Sequence, residues 1–267
     1  MSGDRGKLTD ADFLTIVGRL ERARHETTAI VKVTDDFPGL DLDDAYRAQR
    51  LLRDRAIESG ARLVGFKMGS TSPSKMKQMG MTKPVYGYLL DSFAVAHGAN
   101  VRIGELIQPK VEPEIAFVMR HALRGPGCHA ALALRATDFV LPAIEIIDSR
   151  YRNYAFDLPS VVADNTSSAR FVLGSRPSVA GEIDLRTRGV VLEKNGEVVA
   201  CGAGAAVLGH PAASVAALAN LLHAQGEEIP AGAVVLTGGV TEAISVAAGD
   251  AISLGVQSLG SVSVRFE

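Results

Sequence analysis

Three glutamates set in two apolar, strand-like runs constrain this chain more than any other feature of its 267 residues. Glu112 and Glu114 lie in Lys110-Val-Glu-Pro-Glu-Ile-Ala-Phe-Val118, and Glu145 lies in Val140-Leu-Pro-Ala-Ile-Glu-Ile-Ile147. Both runs are short and rich in Val, Ile and Phe, the texture of buried strands. Strand side chains at i and i+2 share a face, so Glu112 and Glu114 point the same way. Burying an ionised carboxylate costs several kcal/mol unless something compensates, and like charges brought together also repel. Either raised pKa values keep some of these groups neutral, or they share a cation. A hard divalent ion with oxygen ligands, Mg²⁺ or Mn²⁺, is the economical answer. Taken alone, Glu-Pro-Glu also fits a solvent-facing edge strand, which Pro113 permits. Glu145 tips the balance toward a metal site, because isoleucine on both sides leaves it no evident wet face.

Hydrophobic residues make up 47% of the chain and charged ones 22%, enough for a large core and against global disorder. The net charge of −2 and the lack of a basic stripe argue against nucleic-acid binding. Cys128 and Cys201 match neither a disulfide framework nor a zinc spacing. The charged start, Met-Ser-Gly-Asp-Arg-Gly-Lys, has no apolar signal region, and no apolar run reaches the length of a membrane span. The expectation is a soluble, cytoplasmic protein with no nucleic-acid or membrane partner.

The spacing predicts a helix capped by Thr9 or Asp10 and running to about His25, with Phe13, Ile16, Val17 and Leu20 on one face. Asp41 can cap a second, which Gly60 stops. Residues 1–62 thus read as a helical appendage, and residues 63–267 as a β-rich domain. Leu63 to Gly69 reads as a strand carrying Lys67. A lone strand lysine ordinarily faces water. Turned inward beside a cation, it would be pushed to lower pKa by desolvation and by the ion, and could exchange a proton near neutrality. Met76-Lys-Gln-Met-Gly-Met81 reads as methionine packing, and Leu89 to Val95 as a strand. Ala163-Asp-Asn-Thr-Ser-Ser168 reads as an Asx turn or cap. Asn195-Gly196 marks a type I′ hairpin. Ser214 to Ala224 reads as a helix, and Ala233 to Gly239 as a buried strand ending in a glycine turn able to cradle an anionic group.

Motifs spread along nearly the whole chain resemble the hydratase/decarboxylase branch of the fumarylacetoacetate hydrolase superfamily. They are Gly65-Phe-Lys-Met-Gly-Ser-Thr-Ser72, Val111-Glu-Pro-Glu-Ile115, Pro142-Ala-Ile-Glu-Ile-Ile-Asp-Ser-Arg150 and Val162-Ala-Asp-Asn165. Glu193-Lys-Asn-Gly-Glu197, Gly202-Ala-Gly-Ala-Ala206 and Gly260-Ser-Val262 extend the resemblance. It implies an α+β fold, a mixed β-roll or barrel with outer helices and the metal at its mouth. It implies Glu112, Glu114 and Glu145 as ligands of Mg²⁺ or Mn²⁺ and Lys67 as the catalytic lysine. Val85, Arg150, Asn165, Ser167, Thr237 and Gly238 become candidate substrate-binding residues. A small dicarboxylate substrate, a homo-oligomer and a complex with a partner dienoate hydratase are also implied.

The branch holds enzymes that hydrate 2-hydroxypenta-2,4-dienoate and enzymes that decarboxylate 4-oxalocrotonate in the meta-cleavage breakdown of aromatic compounds. Three stretches resemble the decarboxylating subgroup: Lys32-Val-Thr-Asp-Asp-Phe-Pro38, Thr237-Gly-Gly-Val-Thr-Glu-Ala243 and Pro84-Val-Tyr-Gly87. In the last, the hydrating members typically carry an aspartate that serves in proton transfer. This chain has Val85 there, so the resemblance favours decarboxylation, with hydration as the alternative.

Overall fold

The computed structural model describes residues 7–72, Met76 and 83–267. Apart from Met76, the methionine-rich stretch falls outside them. Helix α1 (Asp10–His25) begins on Thr9, whose hydroxyl accepts the Asp12 N–H while the Asp12 carboxylate accepts the Thr9 N–H. This reciprocal box satisfies donors that a helix start leaves open. Helix α2 (Leu42–Glu58) is capped by Asp41 and stops before Gly60, whose φ of +100° suits glycine. Phe13, Ile16, Val17 and Leu20 of α1 join Ala45, Tyr46 and Ala48 of α2 in an apolar cluster that runs on to Phe66 and Met68.

Thirteen strands are present among the described residues: β1 (Leu63–Gly69), β2 (Val85–Leu90), β3 (Ala94–Val95), β4 (Asn100–Val101), β5 (Lys110–Met119), β6 (Thr137–Ile147), β7 (Ser168–Leu173), β8 (Gly189–Lys194), β9 (Glu197–Ala203), β10 (Val234–Leu236), β11 (Ile244–Ser245), β12 (Ala251–Val256) and β13 (Gly260–Phe266). The larger sheet is ordered β2-β1-β10-β5-β6-β7-β3, with β11 also beside β5, and a second sheet runs β4-β13-β12-β8-β9. β1 lies parallel to β10 and antiparallel to β2, so the sheet is mixed. The outer helices are α3 (Ala130–Ala136), α4 (Leu158–Ala163) and α5 (Pro211–Ala224). This is the expected α+β architecture of mixed sheets with helices outside.

The spine is the antiparallel pair β5–β6, registered from Lys110 opposite Ile147 to Val118 opposite Phe139. Apart from the three glutamates on one face, both strands are largely apolar and are buried for most of their length, as strands of that texture require. The β8–β9 hairpin turns at Asn195 and Gly196, with φ of +57° and +84°, as a type I′ turn demands.

Three details differ from the sequence expectation. Leu89 to Val95 is not one strand, because the Asp91 carboxylate accepts the N–H groups of Arg62 (3.0 Å) and Ser92 (2.9 Å) and bends the chain into a 3₁₀ turn. α5 starts at Pro211, before Ser214, with His210 Nδ1 accepting the Ala212 N–H at 2.9 Å. The stretch Gly204–Ala224 does reach the length and hydropathy of a membrane span, yet half of it is buried inside the protein. Val215, Leu218, Ala219 and Leu222 are fully enclosed there, so one face of this outer helix packs into the core.

Close approach of backbones decides one position in β1. A Cβ on Gly65 would stand 1.9 Å from the Val234 carbonyl oxygen. Gly65→Ala must therefore part β1 from β10, at a cost of about 1–3 kcal/mol or more. The check is the urea midpoint, and an unchanged midpoint would show that the two strands are not packed as described.

Candidate active site

Register assembles the site. Glu112 on β5 stands directly opposite Glu145 on β6, and Glu114 follows two residues on, on the same face. Lys67 on β1 aligns with Leu236 on β10, which aligns with Ala116 on β5. The lysine thus joins the glutamate face from across β10. Glu114 and Glu145 are wholly buried and Lys67 is 2% exposed, so the lysine does turn inward. Its Nζ lies 3.1 Å from Glu145 Oε2 and donates to the Thr166 carbonyl at 3.1 Å.

The glycine turn after β10 completes the cradle. Gly238 donates its N–H to Glu114 Oε2 at 2.7 Å, so the anion it holds is the protein's own carboxylate. Its φ is +101°, and a Cβ there would stand 2.1 Å from Thr71 Oγ1, so glycine is required. A Cβ on Gly239 would lie 3.3 Å from Glu112 Oε1. Glycine therefore leaves room beside the third carboxylate.

Three carboxylates and one lysine do not balance. Burial pushes the Glu114 carboxyl well above its ordinary range, with Glu145 and then Glu112 adding repulsion. Glu145 is pushed up to about 7, chiefly by burial, against the pull of Lys67. Burial presses the lysine down, but Glu145, Glu112 and Glu114 outweigh it and hold it above its ordinary value. The lysine is therefore held up here, where the sequence expectation, framed for a lysine beside a bound cation, was a lowered pKa.

Glu114 Oε1 and Glu145 Oε1 are buried with no hydrogen-bond partner, the most costly state for such groups. One ligand oxygen from each of the three glutamates lies within 4.8 Å of the others. An all-oxygen set of this kind suits a hard divalent cation, and the orphaned oxygens are what it would satisfy.

Beside the glutamates lies a cavity of about 260 Å³, lined by Lys67, Ser70, Thr71, Val85, Glu112, Ile147, Thr166, Ser167 and Gly239. Tyr154, Phe156, Leu158 and Val161 form its apolar wall. Of the candidate substrate-binding residues, Val85 and Ser167 line this cavity. The other four have different surroundings. Arg150 Nε donates to the Asp164 carboxylate, and Nη1 donates to the carbonyls of Asp148 (2.6 Å) and Ser168 (3.2 Å). Its guanidinium is thus taken up in binding the loop, away from the cavity. Asn165 spends its side-chain amide on the backbone of Tyr88. Thr237 donates to the Ile115 carbonyl at 2.8 Å, and Gly238 supports Glu114 from behind.

The wall residues Tyr154, Phe156, Leu158 and Val161 were missed in the sequence. The aromatic cluster after the Glu145 strand, Tyr151-Arg-Asn-Tyr-Ala-Phe156, was the available signal. Its backbone turns through φ of +57° at Asn153 and +56° at Tyr154, which brings the rings back over the site.

A buried oxygen-donor cluster, an adjacent buried lysine and a small, mostly apolar cavity define a metal-dependent enzyme for a small anionic substrate. The chain belongs to the fumarylacetoacetate (FAA) hydrolase C-terminal family, whose model matches residues 59–267. It is 53% identical over 259 residues to 4-oxalocrotonate decarboxylase of Pseudomonas sp. (strain CF600), covering 97% of this chain and 98% of that one. It is 38% identical over 257 residues to 2-keto-4-pentenoate hydratase of Burkholderia vietnamiensis, covering 96% and 98%. Among solved structures it resembles 4-oxalocrotonate decarboxylase from Pseudomonas putida G7 complexed with magnesium and adipate. The TM-score there is 0.95 at 52% identity, over 98% of this chain and 99% of that one.

Ligation requires ionised carboxylates, so protons compete with the metal. With the Glu145 carboxyl pushed up to about 7 and that of Glu114 also raised well above its ordinary range, Mg²⁺ affinity should rise with pH through neutrality, by about tenfold per unit for each proton displaced. Protons should be released on binding. Calorimetric titration at several pH values measures both, and an affinity flat from pH 5.5 to 8 would remove the glutamates from the metal site.

Proposed function

We propose that this protein is a metal-dependent carboxy-lyase that converts 4-oxalocrotonate (2-oxo-hex-3-enedioate) to 2-hydroxypenta-2,4-dienoate and CO₂. It serves the meta-cleavage breakdown of aromatic compounds. The observation that carries this reading is Val85, 2% exposed, on the cavity wall with Lys67. The decarboxylase relatives at about half identity support it.

Glu112, Glu114 and Glu145 would hold Mg²⁺ or Mn²⁺, which when bound supplies electrophilic stabilisation of negative charge on substrate oxygen. As the C5–C6 bond breaks, the C6 carboxylate leaves as CO₂. The bonding pair moves through the C3–C4 double bond to the C2 oxygen, giving a dienolate. Lys67 Nζ, held by the Thr166 carbonyl, meets that oxygen as its charge grows and delivers the proton that completes the dienol. Val85 and the wall of Phe156, Leu158 and Val161 exclude water and leave the departing carboxylate poorly solvated, which favours its loss. Ser167 lines the same cavity and is assigned to substrate binding.

We also place the enzyme in the cytoplasm as a homo-oligomer. Its dienol product is unstable, which supports docking to a partner hydratase that consumes it.

Glu145→Gln should keep the fold, weaken Mg²⁺ binding and abolish CO₂ release from 4-oxalocrotonate. Lys67→Met should lower kcat by about 10²–10⁴-fold with little change in Mg²⁺ affinity. Full turnover by Glu145→Gln in chelator-treated buffer would remove the glutamate from the mechanism, and an unchanged kcat in Mg²⁺-loaded Lys67→Met would remove the lysine.

The choice of reaction is tested at Val85. Both activities of the family branch use the metal and a dienolate-like species, whereas hydration also needs a group to manage protons on the chain carbons. The wild-type protein should release CO₂ from the diacid and hydrate 2-hydroxypenta-2,4-dienoate slowly or not at all. Val85→Asp sets a second negative charge near the leaving carboxylate and should impair decarboxylation. Rapid hydration of the dienoate without CO₂ release from the diacid would reverse the reading.

A further inference from the structure

The turn between α4 and β7 holds a conformation that its sequence alone does not favour. Asn165, Thr166 and Ser167 have φ of +50°, +52° and +59°, three successive non-glycine residues in the left-handed region. L-residues visit that region singly and rarely, and such strain persists only where the surroundings over-determine it.

Here the surroundings are the backbone of β2. Asn165 Oδ1 accepts the Tyr88 N–H at 2.8 Å, and its Nδ2 donates to the Tyr88 carbonyl at 3.0 Å. One side chain thus binds both polar groups of one residue, as a neighbouring strand would. Thr166 Oγ1 donates to the Tyr86 carbonyl at 2.9 Å. Between these anchors lies Gly87, where a Cβ would stand 2.6 Å from the Asn165 carbonyl oxygen. Glycine lets the turn lie flat on the strand.

Gly87 is also the residue paired with Lys67 across β1 and β2. The clamp therefore closes directly beside the lysine, and it delivers the Thr166 carbonyl to within 3.1 Å of Nζ. A lysine ammonium rides on a flexible four-carbon stem. Among the described residues, Glu145 Oε2 and the Thr166 carbonyl are the oxygens that hold it.

We propose that Asn165 is a positioning residue, which aims Lys67 by clamping the left-handed turn to Tyr88. This rests on Lys67 being the group that meets the dienolate oxygen. Asparagine also tolerates a left-handed backbone better than most residues, and glycine would fill that purely conformational role at least as well. Asn165→Gly separates the two roles.

With Mg²⁺-loaded enzyme and 4-oxalocrotonate, Asn165→Gly should lower kcat by about 10–100-fold. KM and Mg²⁺ affinity should stay within about threefold. Placed on Lys67→Met, the same substitution should change the residual kcat by less than about threefold, because the group it aims is gone. Asn165→Asp keeps the acceptor for the Tyr88 N–H but loses the donor to its carbonyl. It provides a second folded probe and should show the same dependence on Lys67. Wild-type kcat in Asn165→Gly, or equal losses in the two backgrounds, would overturn the positioning role alone. Undiminished kcat in Lys67→Met by itself would overturn both this role and the assignment of the lysine.

Discussion

The fold is built to hold Glu112 against Glu145. Directly opposed like charges on neighbouring strands ordinarily destabilise a sheet, and here Glu145 and Glu114 are buried as well. The opposition is fixed by the long β5–β6 register, which the apolar residues on either side lock in place. A slip of one residue would turn Glu145 to the other face of the sheet. Everything else near the site answers that charge: Lys67 at 3.1 Å, the Gly238 N–H at 2.7 Å, and raised carboxyl pKa values. None of these satisfies Glu114 Oε1 or Glu145 Oε1. The unfilled demand is for positive charge with room for several oxygens, which a divalent ion meets and a second lysine would not.

The loop from Asp148 to Ser168 repeats the pattern outside the glutamate cluster. Arg150 is 5% exposed and paired with Asp164, which is 1% exposed. Burial pushes the Asp164 carboxyl up to about 6 although Arg150 pulls the other way. Such a pair adds little net stability, but removing one partner strands the other, at about 3–5 kcal/mol. Its use here is geometric. Arg150 ties Asp148, at the end of β6, to Asp164 and Ser168, at the two ends of the strained turn. The strand that carries Glu145 and the turn that holds Lys67 are thereby fixed to each other.

What could be read in the sequence was what local chemistry decides. Thr9 and Asp41 cap their helices, Asn195-Gly196 turns a hairpin, and glutamates in apolar strands advertise a metal site. Each of these signals lies within a few residues of its effect. Arg150 and Asn165 carried no such signal. The polar cluster around Asn165 read as a turn, and both residues became site candidates only through the resemblance; their ties to Asp164 and to Tyr88, the latter 77 positions away, appear only in the fold. The left-handed run 165–167 was hidden for the same reason, since Asn-Thr-Ser has no glycine to mark it. Asp91 broke a strand through its side chain, which hydrophobic pattern does not register. The apolar wall from Phe156 to Val161 reaches the cavity only after two left-handed residues reverse the chain.

The division between common and particular parts of the site explains how relatives with different named activities share so much sequence. In the proposed mechanism the glutamates and the lysine act at the oxygen end of a 2-oxo acid, where any reaction through a dienolate puts its charge. They set the class of chemistry and cannot choose between losing CO₂ and adding water. In that mechanism the choice falls to the other end of the substrate, where one has a carboxylate to lose and the other a double bond to hydrate. The cavity wall of this chain includes Val85, Phe156, Leu158 and Val161. An apolar wall offers no group to orient water and raises the energy of an ionised carboxylate more than that of the neutral CO₂ it becomes. Selectivity of this kind comes from what the wall withholds, so a single side chain such as Val85 can matter as much as the ligand set while leaving the fold untouched.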